Sequence, residues 1–166
     1  SFKRILKQYL PNNKIVVIGN VVPQFTNQVD LMTQKDVHKI LFIGRLAKGH
    51  KRPHLLIEAF SKVADQFPNW IVELWGADEN KAYKVQLELM IKQANLTDRI
   101  IFKGITKDIE SVLITGDIYA MMSASEGFGL SMAEAMAKGL PILACDTWLG
   151  VSDLVQDGYN GILVSD

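Results

Sequence analysis

"KILFIGRLAKGHKRPHLLIEAF", residues Lys39 to Phe60, runs from a short apolar stretch through a basic loop into a helical pattern. An apolar run as short as Lys39 to Gly44, closed by a glycine, reads as a strand buried on both faces. Pro53 suits the first position of a helix, and Leu56, Phe60, Val63 and Phe67 recur on one face behind it. A strand that leaves through a loop and turns into a helix is the opening half of a parallel crossover. The alternation then repeats. Further strands are expected at "WIVELWG", "RIIFKG", "DIYAMM" and "PILAC", and "YNGILV" reads as an Asn160-Gly161 turn feeding a last strand. Between them a second helix carries Tyr83, Leu87, Met90, Ile91 and Ala94, a stripe that faces a core rather than a cofactor. The expected fold class is α/β, a parallel sheet flanked by helices.

Upstream, "SFKRILKQYL" places Phe2, Ile5, Leu6, Tyr9 and Leu10 at helical spacing among Lys3, Arg4 and Lys7. A basic amphipathic helix can lie on a membrane, but one this short is expected to pack against protein. "KIVVIGN" reads as a short buried strand, and Pro23 to Asp36 as a loop or insertion. The chain length predicts a single domain, since domains commonly hold about 100–200 residues. The chain opens on Ser1 rather than Met, which suggests an excised piece.

At 48% hydrophobic and 22% charged, the 166 residues have the make-up of a globular protein, and a chain this long buries roughly 70% of its unfolded surface. Eighteen basic residues balance eighteen acidic ones, so no global field draws in nucleic acid or anionic lipid and any anion site must be local. Cys145 has no partner for an intrachain disulfide and reads as a small buried hydrophobe, in keeping with a reducing cytoplasm. No apolar run reaches the roughly 20 residues of a membrane span.

In open parallel sheets, ligands bind beyond the carboxyl ends of the strands. Two loops there carry chemistry. "RLAKGHKRPH" holds Arg45, Lys48, Lys51 and Arg52 and no acid, which before a helix amino terminus makes a phosphate cradle, or else a solvated basic loop. His50 and His54, with His38, lack acids or cysteines at ligand spacing, so no metal site is expected. The second loop, "ASEGFGLSMAEAMAKGLP" (Ala124 to Pro141), sets Glu126 and Glu134 eight positions apart. Gly127 and Gly129 let backbone N–H groups approach a ligand, and the helix start favours negative charge. A hydrolytic pair of carboxylates spans roughly 5–9.5 Å, whereas eight helical residues rise about 12 Å. The glycine break leaves that spacing open. Carboxylates that accept hydrogen bonds from vicinal hydroxyls of a sugar or ribose suit the pattern better.

The order of "GRL", "KRPHLLIEAF", "EGFGLSMAEAMAKGLP" and "DGYNGILV" resembles the carboxy-terminal, donor-binding half of GT-B glycosyltransferases of retaining family 4, from Lys14 onward. The resemblance implies a Rossmann-like donor domain. In it Arg45 and Lys51 would grip the donor diphosphate beside Gly44, and Glu126 would meet the transferred sugar. The backbone of Gly127, Phe128, Gly129 and Leu130 would line sugar and phosphate, Glu134 would hold the ribose hydroxyls, and Gly104 and Ile105 would flank the nucleobase. It also implies a nucleotide-sugar donor, UDP-linked by family-level expectation, with no essential metal or other cofactor. By the same resemblance residues 14–166 would be the donor domain and 1–13 a remnant helix or linker from an amino-terminal acceptor domain, which would close the site in the complete enzyme and through which it could associate with the inner face of the cell membrane. The fragment is accordingly expected to bind donor and to show little or no transfer.

The sequence departs from the family's pattern in three places. The interval from Arg45 to Lys51 is one residue longer than expected, which brings Lys48 into play. Asp78 stands where a second glycine is common, and Trp148 is unusual in its loop. Among rival readings, a dinucleotide oxidoreductase lacks its glycine fingerprint, a P-loop is absent, and a phospho-receiver would have acids where Arg45 stands. A sugar-nucleotide epimerase of similar build and a non-catalytic nucleotide-sugar-binding module remain as alternatives.

Overall fold

The computed structural model describes residues 2–12, 14–16, 18–147 and 150–165. Trp148 lies outside them. Helix α1 (Phe2–Tyr9) precedes six strands: β1 (His38–Ile43), β2 (Trp70–Trp75), β3 (Ile100–Gly104), β4 (Ile118–Met121), β5 (Ile142–Cys145) and β6 (Gly161–Val164). Helices α2 (Pro53–Val63), α3 (Lys81–Gln93), α4 (Ile109–Leu113), α5 (Leu130–Ala137) and α6 (Val151–Leu154) connect them. Every pairing is parallel, in the order β3-β2-β1-β4-β5-β6. That is the doubly wound, Rossmann-like order, with its reversal between β1 and β4.

Two cores form on the two faces because successive side chains on a strand point to opposite sides. Phe42, Val72 and Leu74 pack beneath α2 and α3 with Leu56, Ile57, Phe60, Leu87 and Ile91. Leu41, Tyr119 and Met121 face the other way, onto Leu113, Met132, Ala135 and Val151. Cys145 is buried, its sulfur 3.7 Å from that of Met122.

All six expected strands from Lys39 onward are present. "KIVVIGN" is not a strand: its described residues pair with nothing in the sheet, and Ile18 is 88% exposed. Apolar composition favours a strand, but only a neighbour's backbone groups can satisfy one, and the sheet ends at β3 and β6. On and just after α1 the side chains of Leu6, Tyr9 and Leu10 are exposed rather than packed. On α2 the buried stripe is Pro53, Leu56, Ile57 and Phe60, leaving Val63 at its margin, and Phe67 falls beyond a 3-10 turn (Ala64–Gln66). The Pro23 to Asp36 segment is irregular, as expected, but firmly attached. The Val29 N–H donates to the Lys138 carbonyl at 2.9 Å. The wholly buried Lys138 side chain donates to Asn27 and Glu110 and lies over the Phe25 ring.

Candidate functional site

The sheet reverses between β1 and β4, and the loops that follow these two strands are stitched together. The Arg52 Nε donates to the Met122 carbonyl at 2.7 Å, and the Ala124 N–H donates to the His50 carbonyl at 2.8 Å. Arg52 takes a left-handed conformation (φ 49) just before Pro53 opens α2. Gly44, at the end of β1, lies under the Lys51 side chain; a Cβ there would stand 3.2 Å from Lys51 Cδ. The next loop also crowds this point, since a Cβ on Gly76 would fall 2.0 Å from the Gly44 carbonyl oxygen.

Bent inward over Gly44, Lys51 forms an ion pair with Glu126, their side chains only 15% and 11% exposed. Ser123 Oγ donates to the same Glu126 oxygen at 2.7 Å, and Thr147 holds the Ser123 carbonyl at 2.7 Å. Gly129 then turns left-handed (φ 81) to start α5. Beneath, the buried Tyr119 hydroxyl lies 2.8 Å from Ser131 Oγ and 3.3 Å from the Ile43 carbonyl, tying the first turn of α5 to both strands. Burial pushes the Tyr119 phenol well above its ordinary pKa, so it stays protonated as a structural donor.

Above them lies an open cleft of about 620 Å³ lined by Asn20, Lys51, Glu126, Gly127, Phe128, Gly129, Leu130, Ser131 and Glu134. The Glu134 carboxylate accepts no hydrogen bond within the described residues, and burial raises its pKa. It is an unspent acceptor beside the amino terminus of α5. The arrangement can bind a group that is anionic at one end and rich in hydroxyls at the other.

The pattern described as "Glycosyl transferases group 1" matches residues 23–166. The chain belongs to that family. It is 28% identical to a Staphylococcus aureus poly(ribitol-phosphate) alpha-N-acetylglucosaminyltransferase over all of this chain and 37% of that protein. Among solved structures it superposes on S. aureus TarM, in a complex with fondaparinux, alpha-GlcNAc-glycerol and UDP, at a TM-score of 0.84 and 28% identity. That match covers 99% of this chain and 32% of TarM. Anabaena HepE, in complex with UDP and glucose, gives a TM-score of 0.72 and 28% identity, with 78% of this chain and 35% of HepE covered. The chain spans less than half the length of these relatives.

Of the residues singled out in this group 1 sequence, Lys51, Glu126, Gly127, Phe128, Gly129, Leu130 and Glu134 share the cleft. Gly44 supports it from below. Arg45 does not reach it: its guanidinium pairs with Glu79 at 2.7 Å, on the side of the β2–α3 loop. Gly104 and Ile105 line a neighbouring cavity of about 730 Å³ with Leu46, Gly76 and Phe102, and the Gly76 N–H donates to the Gly104 carbonyl at 2.7 Å. Lys48 borders a third cavity with Glu79 and Tyr83, outside the main cleft. Asp78, in place of a glycine, is accommodated by a bridge to Leu46 and an ion pair with Lys84 at 2.7 Å.

The histidines serve separately. His54 Nδ1 lies 2.7 Å from the Tyr83 hydroxyl, and burial lowers the His54 pKa, which favours the neutral ring. His38 stacks on Trp70. Among the described residues, no group of three His, Cys, Asp or Glu side chains is placed to hold a metal ion. Sequence reading missed Asn20, Ser123, Ser131 and Tyr119. Asn20 lay in the stretch read as a strand, and a serine or a core tyrosine carries no motif to mark it.

Proposed function

We propose that this chain is the nucleotide-sugar-binding domain of a retaining glycosyltransferase. The whole enzyme transfers a hexose or N-acetylhexosamine from a UDP-linked donor to an acceptor in cell-surface polysaccharide or glycolipid synthesis at the inner face of the membrane. One observation carries this reading: the Lys51–Glu126 ion pair and the Glu134 carboxylate, which accepts no hydrogen bond among the described residues, face a single cleft at the sheet's reversal point. The relatives support it through what their own names state, complexes with UDP in TarM and HepE and transfer to poly(ribitol-phosphate). Among the described residues, no helix is long and apolar enough to cross a membrane.

In this reading residues 14–166 hold the donor. Lys51 and the N–H groups around Gly127 to Leu130 meet the diphosphate, Glu134 accepts from the ribose hydroxyls, and Glu126 orients the sugar. As the bond from the anomeric carbon to the diphosphate oxygen breaks, the electron pair leaves with the phosphate. Lys51, Arg45 once it swings inward, and the amino terminus of α5 stabilise that charge. Removing one preorganised group of this kind typically costs about 10²–10³ in rate. The new bond forms from the acceptor hydroxyl oxygen on the face that the diphosphate leaves, its proton passes to the departing phosphate oxygen, and the domain that presents the acceptor lies outside this chain.

Calorimetric titration with UDP, UDP-glucose, UDP-N-acetylglucosamine, GDP-mannose and NAD tests the proposal. Uridine ligands are expected to bind, and Arg45→Ala and Glu134→Ala to weaken them. Binding of NAD alone, or of no nucleotide, would overturn it.

A further inference from the structure

Two cations are assigned to the donor diphosphate, and the fold gives each a carboxylate of its own. Lys51 meets Glu126 inside the cleft, whereas Arg45 meets Glu79 outside it, at 2.7 Å. The backbone plants Arg45 beside the cleft all the same, because the Lys51 side chain passes directly over the preceding residue, Gly44. With Arg45 62% and Glu79 46% exposed, the pair stands largely in water. A rotation of the Arg45 side chain carries the guanidinium from one anion to another.

We infer that Glu79 is a positioning residue that competes with the donor diphosphate for Arg45, and so weakens the grip on the nucleoside diphosphate left after transfer. The inference rests on the donor-domain reading above. Exposed ion pairs couple weakly, by a factor of roughly two to five. A diphosphate offers the planar guanidinium a bidentate, more highly charged partner, so the ligand wins the contest. Glu79 nevertheless subtracts its own coupling from the ligand's affinity. It also supplies a place for Arg45 to return to, which favours release of the product.

The test is titration of UDP into the wild-type chain, Glu79→Gln, Arg45→Ala and the double variant at low and high salt, with the dissociation rate of UDP followed by rapid mixing. Glu79→Gln alters an exposed side chain and leaves the core untouched. It is expected to tighten UDP binding roughly two- to fivefold at low salt, mainly through slower dissociation, with the gain shrinking as salt screens the pair. In the Arg45→Ala background the same change is expected to do nothing. Unchanged or weaker UDP binding in Glu79→Gln would overturn the inference, since Glu79 would then be idle or would hold Arg45 ready for the ligand. An equal gain without Arg45 would also overturn it, by reducing the effect to removal of a nearby negative charge. Wild-type chain that binds no UDP would bring down the donor-domain reading and this inference with it, whereas wild type that binds UDP without the gain would sink the inference alone.

Discussion

Lys51 and Glu126 sit 75 positions apart in sequence and meet as an ion pair that water barely reaches. Truncating one member leaves the other charge buried without its counterion. Lys51→Met is therefore expected to lower stability by about 1–3 kcal/mol and to abolish measurable UDP binding. Glu126→Gln keeps an acceptor for Ser123 and is expected to retain UDP while losing discrimination between UDP and UDP-sugars. Urea denaturation and calorimetry on both variants check this, and equal loss of UDP in the two would argue against separate roles.

Gly44 and Gly76 offer a contrast of degree. Gly44→Ala brings a methyl group to 3.2 Å from the flexible Lys51 stem, so stability should fall by less than about 1 kcal/mol while UDP affinity drops several-fold. Gly76→Ala would drive a methyl group into the Gly44 carbonyl at a backbone φ of +144. A loss of about 2–4 kcal/mol is expected there. Thermal midpoints and UDP titrations of the pair separate a displaced side chain from a displaced backbone.

Asp117 sets an acid limit on the fold. Burial raises its pKa, but the Lys35 ammonium, the Lys39 N–H and His38 together outweigh burial and hold it below the usual carboxylate range. A pKa lowered by folding adds stability that is present above the unfolded value, near 3.9, and is lost as pH falls through the folded one. Asp117→Asn should lower stability at pH 7 by about 1–3 kcal/mol and flatten its dependence between about pH 5 and 3. Urea midpoints across that range would show it; an unchanged slope would remove Asp117 from the account.

Glu134 has the opposite sign. Its pKa is raised by burial, so its contribution to stability is greatest below the unfolded value and lost as pH rises through the folded one. Glu134→Gln should therefore leave the thermal midpoint at pH 7.5 unchanged or higher, yet weaken UDP roughly tenfold by removing a charged acceptor. A lower midpoint with unaltered UDP affinity would make Glu134 a structural residue.

What could be read from sequence was whatever has a period or a local stop. Leu87 and Ile91 declare their face through spacing alone, and Pro53 marks a helix start. Glu126 to Glu134 was legible as one loop and one helix turn. Contacts between loops were not. Nothing in "GADEN" announces that Glu79 takes Arg45, 34 positions away. "KIVVIGN" misled because hydrophobicity reports an appetite for burial, while strand formation depends on a neighbour that sequence alone does not supply.

The segment from Phe25 to Val29 is hooked on Lys138, at the end of α5 opposite the cleft. A pull on the chain ahead of Phe25 therefore meets the carboxyl end of α5, the helix whose other end carries Gly129 and Leu130, before it reaches β1.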